Sequence, residues 1–311
     1  MSDGASEHQH ESHPGHGGHG HGGHGGHGHH GGASIDFAAE AERLRKRADA
    51  RAPVDRALML RLSERDDRVF VDVGCGAGGM AMAFAQTHPD ARTVAVDAEQ
   101  ALVDLAGERA AAAGLSIVTA VADVDRPEHL ADIVGAPADL VWAGGVIHHT
   151  TDQQAALDTL AGLLGPGGRL AIAEGGLPGQ FLPWDVGVGR PSLELRLAEA
   201  GSQRMAAEHA ENGAARRPYG WNVALEKAGL HDVRVINDVT DIPAPLTGPD
   251  LEPALHSLAA QVGWFEQFLD AEDRDAWAAL LDADGPDWLG SRRDLYHLEI
   301  RSYYVGTKAN G

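Results

Sequence analysis

The chain has 311 residues, 43% of them hydrophobic, and carries a formal net charge of −21 with one cysteine, Cys75. That length holds one large domain or two modest ones, and the charge argues against nucleic acid and anionic membranes as partners, since both would meet like charge. A lone cysteine excludes an internal disulfide and fits a reducing cytoplasm; no apolar run approaches ~20 residues, and the N-terminus lacks the apolar core of a secretory signal.

Residues 1–33 are dominated by His and Gly, with a few other residues, mostly polar. Such a segment has little to bury and reads as a disordered tail. Its imidazoles, among them His16, His19, His21, His24, His27, His29 and His30, are of the type that chelates Ni²⁺, Zn²⁺ or Cu²⁺. Their irregular spacing equally suits a solvated tail whose metal affinity is incidental. Residues 34–67 read as a helical segment with charges alternating on an exposed face. Pro53 is expected to start a second helix there, with Leu58, Leu60 and Leu62 among its apolar positions.

A strand, Val69–Val73, then runs into the glycine cluster Gly74-Cys75-Gly76-Ala77-Gly78-Gly79 and a helix-prone Ala/Met segment. From here strands and helices alternate: strand 92–97, helix 99–113 stopped by Gly114, strand 115–124, a short helix 127–134, strand 139–145, helix 152–164, strand 169–174. Near-continuous apolar strands separated by helices imply a parallel sheet covered on both faces. The rhythm breaks at 176–220, resumes with a helix at 221–228 and a strand at 233–239, and breaks again at 243–294 before a last strand at 296–307. The expected fold is therefore α/β, a doubly wound, mostly parallel seven-stranded sheet, residues 68–311, with two helical insertions forming a cap.

The glycine loop alone is ambiguous. Gly74, Gly76 and Gly79 satisfy G-x-G-x-x-G, and Gly74, Gly76 and Gly78 satisfy G-x-G-x-G. Asp97 ends the second strand, where a carboxylate can accept both hydroxyls of a ribose; this suits NAD as well as S-adenosylmethionine. Three further features separate the two: Asp72 precedes the first glycine by two residues, Asp123 ends the third strand, and the fourth strand runs into His148-His149. With Val71–Gly79, Val94–Ala98, Ala122–Val124, Asp139–His149 and Leu164–Glu174, this ordered set resembles the class I S-adenosylmethionine-dependent methyltransferases that act on small molecules. The resemblance covers residues 65–175 well and the last two strands more loosely. It implies that Gly74, Gly76 and Gly78 pass under the methionine part of the cofactor, that Asp97 binds the ribose, and that Asp123 binds adenine with Val124 beside the ring. Asp72, Ala98 and Gly144 complete the implied cofactor set. Cys75 reads as a small side chain in a turn, with no adjacent base to make it a nucleophile.

Members of this family often carry a His pair where His148 and His149 stand, and either imidazole could take a proton from an attacking hydroxyl or amine. Asp152 could orient such a histidine, but capping the next helix is its expected role. In the first insertion, Arg216, Arg217, Tyr219, Trp221 and Trp184 suggest a pocket for a planar or carboxylate-bearing acceptor. Trp264, Phe265, Phe268, Trp277 and Trp288 in the second read first as the core of the cap. The expected function is methyl transfer from S-adenosylmethionine to a small molecule, such as a biosynthetic intermediate, with O-methylation slightly preferred. Two rival readings are an NAD-dependent oxidoreductase and a metal-handling protein with a degenerate nucleotide fold. A homodimer is an open alternative for its assembly.

Overall fold

The computed structural model describes residues 37–310. The chain runs α1 (Phe37–Leu62), β1 (Val69–Val73), α2 (Gly79–Thr87), β2 (Arg92–Asp97), α3 (Gln100–Ala112), β3 (Val118–Val121), α4 (Leu130–Val134), β4 (Ala138–Gly144), α5 (Gln153–Gly162), β5 (Leu164–Gln180), α6 (Leu193–Glu211), α7 (Trp221–Lys227), β6 (Leu230–Ile242), α8 (Leu251–Phe265), α9 (Ala271–Leu281) and β7 (His297–Lys308). The strands form one sheet in the order β3-β2-β1-β4-β5-β7-β6. β1 to β5 are parallel, and β7 is antiparallel to both β5 and β6. A doubly wound dinucleotide sheet has the order 3-2-1-4-5-6; here an antiparallel strand is wedged between the fifth and the sixth.

The central strands are apolar on both faces because both faces are covered. Val71, Val73 and Val141 pack with Leu157 and Leu160 of α5 on one side, while Phe70 and Leu140 pack with Phe84 of α2 and with Leu58, Met59 and Leu62 of α1 on the other. A third core, containing Phe181, Leu197, Leu258 and the fully buried Trp277, belongs to the two insertions, which pack on each other as a cap. Trp264 lies outside it, 48% exposed.

Two expectations are corrected. Pro53 does not start a second helix: α1 is continuous through it. Proline removes one helical N–H donor, but the Arg51–Asp55 ion pair spans that turn at 3.2 Å and the buried Leu58, Met59 and Leu62 anchor the helix beyond it. Leu60 points outward, 61% exposed, because only positions three and four apart share the buried face. Second, β5 continues past Glu174 to Gln180, since β7 keeps pairing with it beyond a bulge at Glu174-Gly175. The His/Gly-rich segment, and with it the seven tail histidines, lies outside the described residues.

Candidate active site

The carboxyl ends of β1, β4 and β5 open onto a cleft of about 870 Å³, the place where open α/β sheets bind ligands. Its floor is the glycine loop from Gly74 to Ala77. Gly144, Gly145 and His148 follow β4 along one wall, and Glu174 to Pro178 of β5 extend that wall toward Ile300–Tyr303 of β7. Leu44, Ala48, Arg51 and Asp55 of α1 close the side facing the loop.

Two glycines of the loop are required for different reasons. Gly74 has φ +64°, and a Cβ there would stand 2.2 Å from Cγ2 of Val146. Gly76 has φ +52°, and a Cβ there would meet no atom within 4 Å. The first glycine lets two loops of the protein touch. The second leaves free space in the cleft itself, as a cradle for a ligand backbone requires.

Asp72 lies buried below the loop, where one carboxylate oxygen accepts the Ala81 N–H of α2 at 2.9 Å. Burial pushes its pKa up to about 7, and the nearby carboxylates of Asp97 and Asp55 act in the same direction. The Cys75 thiol is also raised, by burial and then by Asp72 and Asp97; it stays a protonated thiol and is no nucleophile.

The turn after β4 carries the feature most like catalytic machinery. Nδ1 of His148 lies 2.7 Å from Oε2 of Glu174. The other oxygen of Glu174 accepts the N–H groups of Val146 at 3.1 Å and Ile147 at 2.8 Å. A carboxylate taking two backbone donors acts as an acceptor at its remaining oxygen as well. In the neutral imidazole this places the proton on Nδ1 and leaves the lone pair on Nε2. His209 of α6 holds the same turn through its Nε2, 2.8 Å from the carbonyl oxygen of His148.

A family model described as a methyltransferase domain matches residues 71–170, the span from the strand under the glycine loop to β5. The chain therefore contains a methyltransferase domain. It is 30% identical over 154 residues to a trans-aconitate 2-methyltransferase of Methylobacterium radiotolerans, covering 45% of this chain and 55% of that one. It is 28% identical over 241 residues to the methyltransferase GfsG of Streptomyces halstedii, covering 76% and 77% of the two chains. A crystal structure of a putative methyltransferase from Bacillus halodurans superposes with a TM-score of 0.49 at 14% identity, over 82% of this chain and 99% of that one. The chain spans about half the length of the first of these relatives. The match to a methyltransferase family displaces the reading as an NAD-dependent oxidoreductase.

The residues singled out from the sequence fall into three groups. Asp72, Gly74, Gly76, Gly144, His148 and Trp221 line the cleft. Gly78, Asp97, Ala98, Asp123 and Val124 stand at the loop end and at the ends of β2 and β3, outside the cavity lining. Asp97 ties the loop down, its two oxygens accepting Gly76 N–H at 2.9 Å and Glu99 N–H at 3.1 Å. Asp123 accepts Asp125 N–H at 2.9 Å, and Val124 is buried in the core. The third group lies away from the cleft. His149 packs against His148 with ring centroids 4.0 Å apart, and its pKa is held below the usual value by partial desolvation and by that neighbouring ring. Arg217 stacks 3.7 Å from the Trp221 ring centroid and bonds Gln153, so it braces α7 against α5. The Tyr219 hydroxyl donates to Gln154 at 3.0 Å. Trp184 is 70% exposed, and Arg216 is also exposed.

Asp152 caps α5, accepting from Gln154 N–H and Ala155 N–H. Glu174, Arg51 and Asp55, which sequence reasoning missed, take the places around the cleft. No group of three or more His, Cys, Asp or Glu among the described residues is arranged to hold a metal ion, and no described helix is long and apolar enough to cross a membrane.

Proposed function

We propose that this methyltransferase methylates a hydroxyl group of a small molecule, with His148 as the general base and Glu174 positioning it. The hydrogen bond between Glu174 and Nδ1 of His148 carries the reading, because it fixes the tautomer that leaves Nε2 able to take a proton. When bound, S-adenosylmethionine supplies a methyl group on a sulfonium, whose transfer forms a C–O bond, breaks the C–S bond toward sulfur and leaves the hydroxyl proton to be removed. His148 takes that proton, and such assistance is worth roughly 10²–10⁴ in rate. The rest of the rate comes from alignment, since an in-line displacement rewards a nucleophile held at the right distance.

The chain's own residues also suit the donor. Gly76 leaves the loop uncovered. Asp97 and Asp123 are the carboxylates for its ribose and adenine. Calorimetry with S-adenosylhomocysteine, followed by turnover of a panel of phenols, alcohols and amines, tests the reading. Preferential methylation of hydroxyls that collapses in His148→Ala is expected; full turnover by that variant would remove the base. The His-rich tail is assigned a separate capacity to chelate Ni²⁺, Zn²⁺ or Cu²⁺. Deleting residues 1–33 should abolish metal uptake on equilibrium dialysis while donor affinity is kept.

A further inference from the structure

We propose that the acceptor is an uncharged molecule with an apolar face, docked on Leu177, Ile300, Met205 and Trp221 beside His148, and that polycarboxylates are rejected. The proposal rests on the reading of His148 as the acceptor's base and adds the class of molecule that base serves.

The four side chains come from four separate elements, each close to the groups that hold the imidazole. Trp221 starts α7, and its indole stands 3.9 Å from where a Cβ on Gly175 would be, the residue next to Glu174. Met205 precedes His209 by one turn of α6, so the two share a helix face, and His209 bonds the His148 carbonyl. Leu177 and Ile300 are direct cross-strand partners of β5 and β7, just past the bulge that contains Glu174. All four line the cleft. Leu177 is 61% exposed, so a large apolar side chain on the cleft wall is left without a protein partner over most of its surface.

Charge in the cleft points the same way. Among the described lining residues there are four carboxyl groups, Asp55, Asp72, Glu174 and Glu299, against two guanidinium groups, Arg51 and Arg301. Each guanidinium is already bonded to a carboxylate of the same lining: Arg51 to Asp55 at 3.2 Å and Arg301 to Glu299 at 2.8 Å. An acceptor with several carboxylates would meet these acids and find each cation already answered. Bidentate Arg–carboxylate pairing, the usual means of holding such a molecule, would require one of those pairs to be broken first. A neutral acceptor covers Leu177 and Ile300 and leaves both ion pairs intact. The chain therefore diverges in acceptor class from its trans-aconitate 2-methyltransferase relative, although the sheet and loop are shared.

The test is calorimetry on the full chain loaded with S-adenosylhomocysteine, using 7-hydroxycoumarin, its 3-carboxylate and trans-aconitate as probes. The neutral coumarin should bind at least tenfold more tightly than its carboxylate, with no saturable binding of trans-aconitate. Leu177→Glu and Ile300→Glu should each weaken the neutral coumarin at least tenfold, with S-adenosylhomocysteine affinity within twofold of the parent as the check on folding. The proposal is overturned if trans-aconitate or the coumarin carboxylate binds as tightly as the neutral probe. It is equally overturned if the neutral probe does not saturate, or if neither variant weakens it. Failure of the parent chain to bind S-adenosylhomocysteine would overturn the methyl-transfer reading itself, and the acceptor class with it. Undiminished turnover in His148→Ala would overturn the base and leave the probe ranking to decide the wall.

Discussion

Glu174 holds the imidazole of His148 from across 26 residues of sequence, Nδ1 to Oε2 at 2.7 Å, and the same carboxylate secures the backbone of the two residues leading into that histidine. On the proposed function, the pairing orients His148 as the base. In Glu174→Gln the amide cannot accept from the two backbone groups and from Nδ1 together, so the imidazole loses its fixed tautomer. The expected result is a kcat lower by about 10²-fold, with KM nearly unchanged and S-adenosylhomocysteine affinity kept. Steady-state kinetics across pH 6–9 check this. A kcat within about threefold of the parent, with an unaltered pH profile, would leave Glu174 a purely structural residue.

The buried carboxyl of Asp72 should make donor binding depend on pH. Its pKa is raised from 3.8 to about 7 by burial first of all, so the folded protein without ligand keeps it partly protonated near neutrality. A cationic sulfonium placed nearby favours the ionised form. Donor affinity should therefore rise as pH increases through about 7, with proton release on binding. Calorimetry at pH 6 and pH 8, in buffers of different ionisation enthalpy, reads both. S-adenosylhomocysteine, a neutral thioether at the same atom, should show the weaker dependence, and Asp72→Asn should flatten it. Equal pH slopes for the two ligands in the parent chain would refute the assignment.

Gly74 and Gly76 should respond differently to the same substitution. In Gly74→Ala the new methyl overlaps Val146 and sits at positive φ. The loop must shift, at a cost of about 2–5 kcal/mol in stability, and the turn carrying His148 shifts with it. In Gly76→Ala only the backbone strain of about 1–2 kcal/mol remains, since the methyl meets no protein atom; the loss should appear in cofactor affinity. Thermal melting paired with calorimetry separates the two. Equal melting temperatures for both variants would contradict the distinction.

These relationships also mark what the sequence discloses. The sheet, the glycine loop and His148 are legible because each is local: a β-branched run, a spacing, a strand end. Glu174 is visible as a strand end, but its partnership with His148 needs β4 and β5 side by side, which no local pattern states. Arg51 and Asp55 read as one more pair of charges on an exposed helix, because only the docking of α1 over the loop turns that face toward the cleft. Arg217 and Tyr219 err in the other direction. A basic-aromatic cluster reads as a ligand pocket, yet here the guanidinium stacks on Trp221 and the phenol bonds Gln154, so their chemistry is spent on seating α7. Leu177 gives no signal, since an apolar residue in a strand is expected to be covered.

The cap carries its own titration, separate from the chemistry of the cleft. Glu194 of α6 accepts Phe181 N–H at 3.0 Å and Leu182 N–H at 2.9 Å, joining the cap to the end of β5. Burial outweighs those two bonds and raises its pKa from 4.5 to about 7. A raised carboxyl binds more protons folded than unfolded between these two values, so its contribution to stability is fully present below pH 4.5 and is lost as pH rises toward about 7. Glu194→Gln removes that titration and keeps one oxygen to accept from the backbone. Relative to the variant, the parent should lose melting temperature between pH 5 and pH 8, so the difference shifts in the variant's favour as pH rises. The comparison cancels the titration of every other group, including the general repulsion of a strongly acidic chain. A difference in melting temperature that stays constant from pH 5 to pH 8 would show that Glu194 is ionised throughout and that the bonds to Phe181 and Leu182 outweigh its burial.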